Sequence, residues 1–155
     1  MMLTEWGQIT WLLFHTLAEK INENQFANVK DIFIELIKDT CNNLLCPICT
    51  SHALQTLKRA NFKLIHTKAD MIEFLRQFHN VVNLHLEKPT VEKEFVIKHY
   101  KAANLKNIIT SFFKIYSHKY GNFEVSAFHR SNMRNIFLKR CKKRLEILGK
   151  SCYTS

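Results

Sequence analysis

The chain has 155 residues, 46% of them hydrophobic, with three Gly, two Pro, five Cys and a formal net charge of +10. That length suits one domain, or one small domain with an appendage, and so few turn-formers argue against a many-stranded β protein. The charge is uneven: residues 1–104 carry 12 Lys+Arg against 11 Asp+Glu, whereas residues 105–155 carry 11 against 2.

The elements read as helices throughout. Trp6, Ile9, Leu13, Leu17 and Ile21 fall on one side of a first helix, with Trp11, Phe14 and Ala18 widening its apolar face and Thr4 as N-cap. A second helix is expected from Val29 to near Cys41, capped by Asn28, with Ile32, Phe33, Leu36 and Ile37 inward. Cys46-Pro47 opens a third, Pro47 to about Ala60, because proline lacks only an N–H that the first turn does not use. Thr67 and Asp70 form a capping box for a fourth helix through about Leu86, with Met71, Phe74, Leu75, Phe78, Val82 and Leu86 inward. Lys88-Pro89 ends it, and Thr90 can cap a short fifth helix from Val91 to about Ala102.

Beyond a boundary near 102–104, an apolar helix is expected at Leu105–Tyr116, with Asn104 as cap. A turn follows at Tyr120-Gly121-Asn122, then a basic helix near Ser126–Leu148. The fold class is therefore all-α: a four-helix core with a short fifth helix over 1–103, and a basic helical extension over 104–155. No apolar stretch reaches the roughly 18 residues that span a bilayer. The start of the chain carries Glu5 and no basic cluster, so it does not read as a secretory signal. The expected location is cytoplasmic.

Two constellations carry chemistry. The first is Cys46-Pro-Ile-Cys49. At i and i+3 on a helical start the two sulfurs can pair with little backbone movement, and the first lies near unpaired N–H groups and the positive end of the helix dipole. That favours a thiolate, the species that attacks disulfides. Spacing alone leaves three readings open: a redox pair, half of a zinc site with Cys41, His52 or His66 nearby, or an inert pair at a helix start. The second is His79, Asn80 and Asn83 within an otherwise apolar helix, with His15 within another. Asn is a poor interior residue in helices unless its amide finds partners. Together these residues suggest a polar, aromatic group held between helices. Taken singly, each also reads as a satisfied structural residue, and Trp6 and Trp11 as core aromatics.

Three motifs in order give the chain a family resemblance. Trp6-Gly7-Gln-Ile-Thr10-Trp11 with His15, then Cys46-Pro-Ile-Cys49, then His79-Asn80-Val-Val82-Asn83 with Lys88-Pro89 resembles the Erv/Alr family of FAD-linked sulfhydryl oxidases over roughly residues 4–100. The short Leu-Cys-Pro-Ile-Cys form with the following His-Ala is similar to versions carried by large DNA viruses, for which host cytoplasm or virion would be the setting. The resemblance implies a helical bundle holding FAD, usually a homodimer, that oxidises protein dithiols with molecular oxygen to give disulfide and hydrogen peroxide. It implies Cys49 against the flavin and Cys46 as the exchange cysteine. Trp11 and His15 would contact the flavin, with Gly7 and Thr10 at the same wall. His79, Asn80 and Asn83 would hold the adenosine and ring portions, and Lys88 the phosphate side. No metal is implied.

The chain departs from the family pattern in two respects. Many members carry a cysteine three residues before the His of His-Asn, paired further on; Arg76 and a residue near Lys93 stand there, so that disulfide is expected to be absent. A shuttle CxxC outside the domain is also missing. Either the substrate reaches Cys46 directly, or Cys41, Cys141 or Cys152 acts as relay; the plainer reading makes Cys41 a buried free thiol and the other two unpaired surface thiols. The run 139–144, Lys-Arg-Cys-Lys-Lys-Arg, reads as a solvated helix face or a phosphate-binding patch, with no DNA-reading motif beside it. The apolar residues Ile108, Ile109, Phe112, Phe113, Phe137, Leu138, Leu145 and Leu148 predict that the extension packs on something, either the bundle or a partner. The rival to the oxidase reading is a basic helical protein that binds nucleic acid or a partner, its CxxC structural or zinc-binding.

Overall fold

A computed structural model of the chain describes residues 5–117 and 125–153. Among these residues are seven α-helices: α1 (Glu5–Lys20), α2 (Glu23–Cys41), α3 (Pro47–Arg59), α4 (Lys68–His85), α5 (Lys93–Lys101), α6 (Leu105–Tyr116) and α7 (Val125–Lys150). A 3-10 turn at Phe62–Leu64 joins α3 to α4, and no strand is present among the described residues. The all-α expectation holds. Thr4 and the turn at 120–122 lie outside the described residues.

Local chemistry explains most of the boundaries. The capping box forms as the sequence predicts: Asp70 N–H donates to Thr67 Oγ1 at 3.1 Å, and Thr67 N–H to Asp70 Oδ2 at 3.0 Å. Asn104 caps α6 by accepting from Asn107 N–H at 3.1 Å.

Two starts differ from expectation. The second helix begins at Glu23 rather than Val29, because Phe26 is buried and extends the inward row of Val29, Phe33, Leu36 and Ile37 upstream by a turn. Asn22 takes the cap position, and Asn28 sits inside the helix. The fifth helix begins at Lys93 rather than Val91, because both backbone polar groups of Val91 are taken by the Asn80 side chain.

α1 is the central element, with α4 and α5 packed on one part of its surface and α6 on another. α2 lies between α3 and α7. Leu13, Leu17, Phe33, Leu36, Met71, Leu75, Phe112, Tyr116, Phe137 and Leu148 belong to one buried cluster. Both helices after residue 104 therefore close the same core as the helices before it. The chain end is stitched back as well: Asn22 N–H donates to Ser151 C=O at 2.7 Å and Tyr153 N–H to Lys20 C=O at 2.9 Å, around an isolated antiparallel bridge between Ile21 and Cys152.

The basic run 139–144 is divided by this packing. Arg140 and Arg144 converge on half-buried Asp39 of α2 at 2.8 and 2.7 Å. Cys141 is fully buried, while Lys139, Lys142 and Lys143 point outward. Burial alone would raise the Asp39 pKa, but hydrogen bonds from the two guanidinium groups outweigh it and hold the carboxyl below its ordinary value. A carboxyl with a depressed folded pKa stabilises fully above its unfolded pKa, and that stability is lost as pH falls through the folded value. Asp39→Asn is expected to lower the unfolding free energy by about 1–3 kcal/mol at neutral pH. The gap to the parent should narrow below about pH 4. Urea denaturation at both pH values checks this; an unchanged midpoint at neutral pH contradicts the clamp.

Candidate functional site

Cys46 is the N-cap of α3, and Pro47 occupies the first turn. Cys46 and Cys49 are joined as a disulfide, with Cα atoms 5.2 Å apart. The Cys46 sulfur accepts the Cys49 backbone N–H at 3.3 Å, so it occupies the place where a helix start offers unpaired donors. Both cysteines are half-buried, and Ile48 between them is 68% exposed. A disulfide leaves neither thiolate for a metal, and among the described residues no cluster of three His, Cys, Asp or Glu is placed to hold one.

A second group is built where α1 meets α4 and α5. His15 and His79 meet through Nε2 and Nδ1 at 3.0 Å. His79 lies flat on Trp11, with centroids 4.1 Å apart and planes 9° from parallel. His15 lies flat on Tyr100 of α5 at 4.4 Å and 14°. The four rings thus form a layered aromatic block, buried at His15 and Tyr100 and half-exposed at Trp11 and His79. Burial, then the nearby His79 and His99, lowers the His15 pKa to about 3. Burial, then the Lys88 charge, lowers that of His79 to about 4. Both imidazoles are therefore neutral at physiological pH, and one must donate to the other. His15 Nδ1 is buried with no partner. An orphaned acceptor costs less than an orphaned N–H, so the His15 proton belongs on Nε2, donated to His79, and the His79 proton belongs on Nε2, on its more exposed side.

The asparagines are engaged by the chain itself. Asn80 donates to Val91 C=O at 3.3 Å and accepts Val91 N–H at 2.6 Å. Asn83 Nδ2 donates to Pro89 C=O at 3.2 Å, and its own C=O accepts Lys88 N–H at 2.8 Å. Arg76, held by Glu73, adds a bond from Nη1 to Val91 C=O at 3.3 Å. These bonds bracket the segment 88–91 against α4 and present Lys88 to solvent. On α1, Gly7 and Thr10 are buried. The Thr10 hydroxyl donates to Trp6 C=O and accepts from Tyr116 of α6 at 2.6 Å, so it faces α6.

Comparison with known proteins gives the family of the chain. The Erv1/Alr family profile matches residues 8–104, more than half of the chain. The chain belongs to the Erv1/Alr family. It is also 26% identical, over 97 residues, to a protein of Invertebrate iridescent virus 3 provisionally named an FAD-linked sulfhydryl oxidase. That match covers 62% of this chain and 66% of the relative, just under two thirds of its length. No solved structure matches the chain.

The residues present fit the cofactor that the Erv1/Alr resemblance implies. A flat aromatic block of neutral imidazoles and an indole suits a heteroaromatic ring, and an exposed lysine beside it suits a diphosphate. Arg76, where the sequence reading expects a family cysteine to be absent, reaches the segment 88–91 by one hydrogen bond to Val91 C=O. Among the described residues, Cys46–Cys49 is the only disulfide, and Cys41, Cys141 and Cys152 are free. Burial pushes the Cys41 thiol up to about 12, the Cys141 thiol to about 12 and the Cys152 thiol to about 11. Cys41 is the buried free thiol expected. Cys141 is not a surface thiol: it faces α2, because α7 turns that side inward. Cys152 is half-buried beside Ile21.

Sequence reading did not single out Tyr100 or Tyr116. The signal available was their spacing: Tyr100 lies four residues after Val96, and Tyr116 four after Phe112, each pair on one face of its helix.

Both site histidines have depressed folded pKa values. The unfolded chain takes up protons as pH falls below about 6.5 while the folded chain does not, so their contribution is complete above that pH and is lost on the way down towards about 4 for His79 and about 3 for His15. In an NMR titration, neither His15 nor His79 should show an inflection between about pH 5 and 8. An inflection near 6.5 for either would contradict the neutral pair.

Proposed function

We propose that this chain is a flavin-linked thiol oxidase that forms disulfides in protein dithiols through Cys46 and Cys49, with FAD as cofactor and molecular oxygen as final acceptor, yielding hydrogen peroxide. The observation that carries the reading is a half-exposed disulfide at the start of α3 in a chain of the Erv1/Alr family. The name of the iridovirus relative supports it, and supports a viral setting for the chain as well.

The exchange chemistry follows from the pair. One substrate thiolate attacks the Cys46 sulfur, making a mixed disulfide and releasing Cys49 as thiolate. The second substrate thiolate attacks the substrate sulfur of that mixed disulfide, closing the product disulfide and releasing Cys46. Two electrons and two protons have then moved from substrate to the Cys46/Cys49 pair. The helix start lowers the cost of a thiolate at Cys46, which makes it the better leaving group in the second step. Bound FAD supplies a two-electron acceptor for this dithiol and the reaction with oxygen.

In this reading Cys49 would be the cysteine that passes electrons to the flavin. Trp11, His15 and His79 would supply the aromatic wall, with Gly7 and Thr10 behind it on α1, and Lys88 would supply positive charge for the phosphates. Asn80 and Asn83 act through the segment they bracket, since Asn80 has both ends of its amide engaged there. The substrate meets Cys46 directly, because the three other thiols are raised by burial and so are poor nucleophiles. A homodimer, which the resemblance also implies, would have to form without the faces of α1 and α2 that α6 and α7 cover.

Cys49→Ala should retain flavin while dithiol-dependent oxygen consumption falls by about two orders of magnitude or more. Cys46→Ala should block reduction by substrate while leaving flavin bound. Oxygen-electrode turnover measured beside flavin content checks both, and unchanged turnover in Cys49→Ala would sink the mechanism.

A further inference from the structure

The proposed oxidase chemistry uses none of the basic residues on α7. Two of them, Arg140 and Arg144, are spent internally on Asp39. Among the α7 residues whose side chains are described, Lys139, Lys142, Lys143 and Lys150 are exposed on the outward side and form no ion pair. The single acidic residue on that side is Glu146.

The same side carries aliphatic groups that the core does not use. Met133 is 49% exposed, Ile136 48% and Ile147 45%. At 3.6 residues per turn, positions 133, 136, 140, 143, 147 and 150 follow one another along one strip of the helix. Lys139 borders that strip on one side, with Lys142 further round, and on its other edge Arg140 and Arg144 turn to Asp39. The opposite side, formed by Phe137, Leu138, Cys141, Leu145 and Leu148, is buried. α7 thus has two apolar faces: a wide one sealed into the core and a narrow one edged with lysines and left to solvent.

We propose that this outer face of α7 is a peripheral docking surface for an anionic bilayer, with the helix lying along the headgroups. Charge complementarity calls for an anionic partner, because four free lysines face one glutamate. The aliphatic side chains decide between classes of partner. A phosphodiester backbone has no use for Met133, Ile136 and Ile147, whereas a lipid interface takes up aliphatic side chains between lysines whose long stems reach back to the headgroups. The site needs no transmembrane segment, and no described helix is long and apolar enough to be one. The α7 helix rises about 39 Å over its 26 residues, long enough for both clusters of apolar side chains to meet the same flat surface.

The test is flotation of the full-length chain with vesicles of zwitterionic lipid, with and without about a third of anionic lipid, at two salt concentrations. Binding is expected to the anionic vesicles alone and to weaken at high salt. The triple variant K139Q/K142Q/K143Q should bind about a hundredfold more weakly, near fivefold for each lysine. The double variant I136S/I147S keeps every charge and should still lose about tenfold or more. All five substituted positions are exposed, and circular dichroism verifies that each variant is folded. Absence of binding to anionic vesicles would overturn the proposal. So would vesicle binding unaffected by I136S/I147S together with tighter binding to a short DNA duplex, which assigns the lysines to nucleic acid.

Discussion

One contact between two uncharged imidazoles joins the helices around which the rest of this structure is arranged. His15 comes from α1 and His79 from α4, and their shared hydrogen bond is enclosed by Trp11 on one side and Tyr100 on the other. Buried polar groups are costly unless paired, so each ring fixes the other's position and tautomer. α1, α4 and α5 are registered to one another at that point. Beside it Trp11 is stacked on His79, and Arg76, Asn80 and Asn83 draw the segment 88–91 against the same helix, α4.

The rest of the chain supplies rigidity without covalent help. A half-exposed disulfide at a helix start is open to thiol attack, and the exchange role proposed for it is at odds with service as a permanent brace. The bracing comes instead from hydrogen bonds at 88–91, from the Asp39 clamp and from the two C-terminal helices. α6 seals α1 through Tyr116 and Phe112, α7 seals α2 through Phe137 and Leu148, and the chain end returns to Ile21. Three free thiols sit within this packing with their pKa values raised, which keeps them out of competition with the Cys46–Cys49 pair.

Much of this was legible in the sequence, and what was not has physical reasons. Helix content, the Thr67–Asp70 box, the Asn104 cap and the opening of α3 at Cys46-Pro47 are local effects, decided by residues within one turn of each other. The misplaced starts of α2 and α5 were decided at a distance: Phe26 joins a core formed by other helices, and Val91 is held by a side chain eleven residues upstream. The charge step near residue 104 marks where the Erv1/Alr match ends, but not a gap in packing, because charge patterning reports solvent faces and says little about buried ones. The pairing of Cys46 with Cys49 could be anticipated from spacing. The partners of Asn80 could not, since an amide suits a ligand and a backbone carbonyl equally well.

The central claim is that electrons pass from a dithiol through this pair to a bound flavin and then to oxygen. The most direct measurement is the visible absorbance of the purified protein during anaerobic addition of a dithiol, followed by air. The expected result is an oxidised-flavin band at about 450 nm that bleaches with the dithiol and returns with oxygen. A colourless protein that cannot be reconstituted with FAD, or a bound flavin that the dithiol does not bleach, would contradict it.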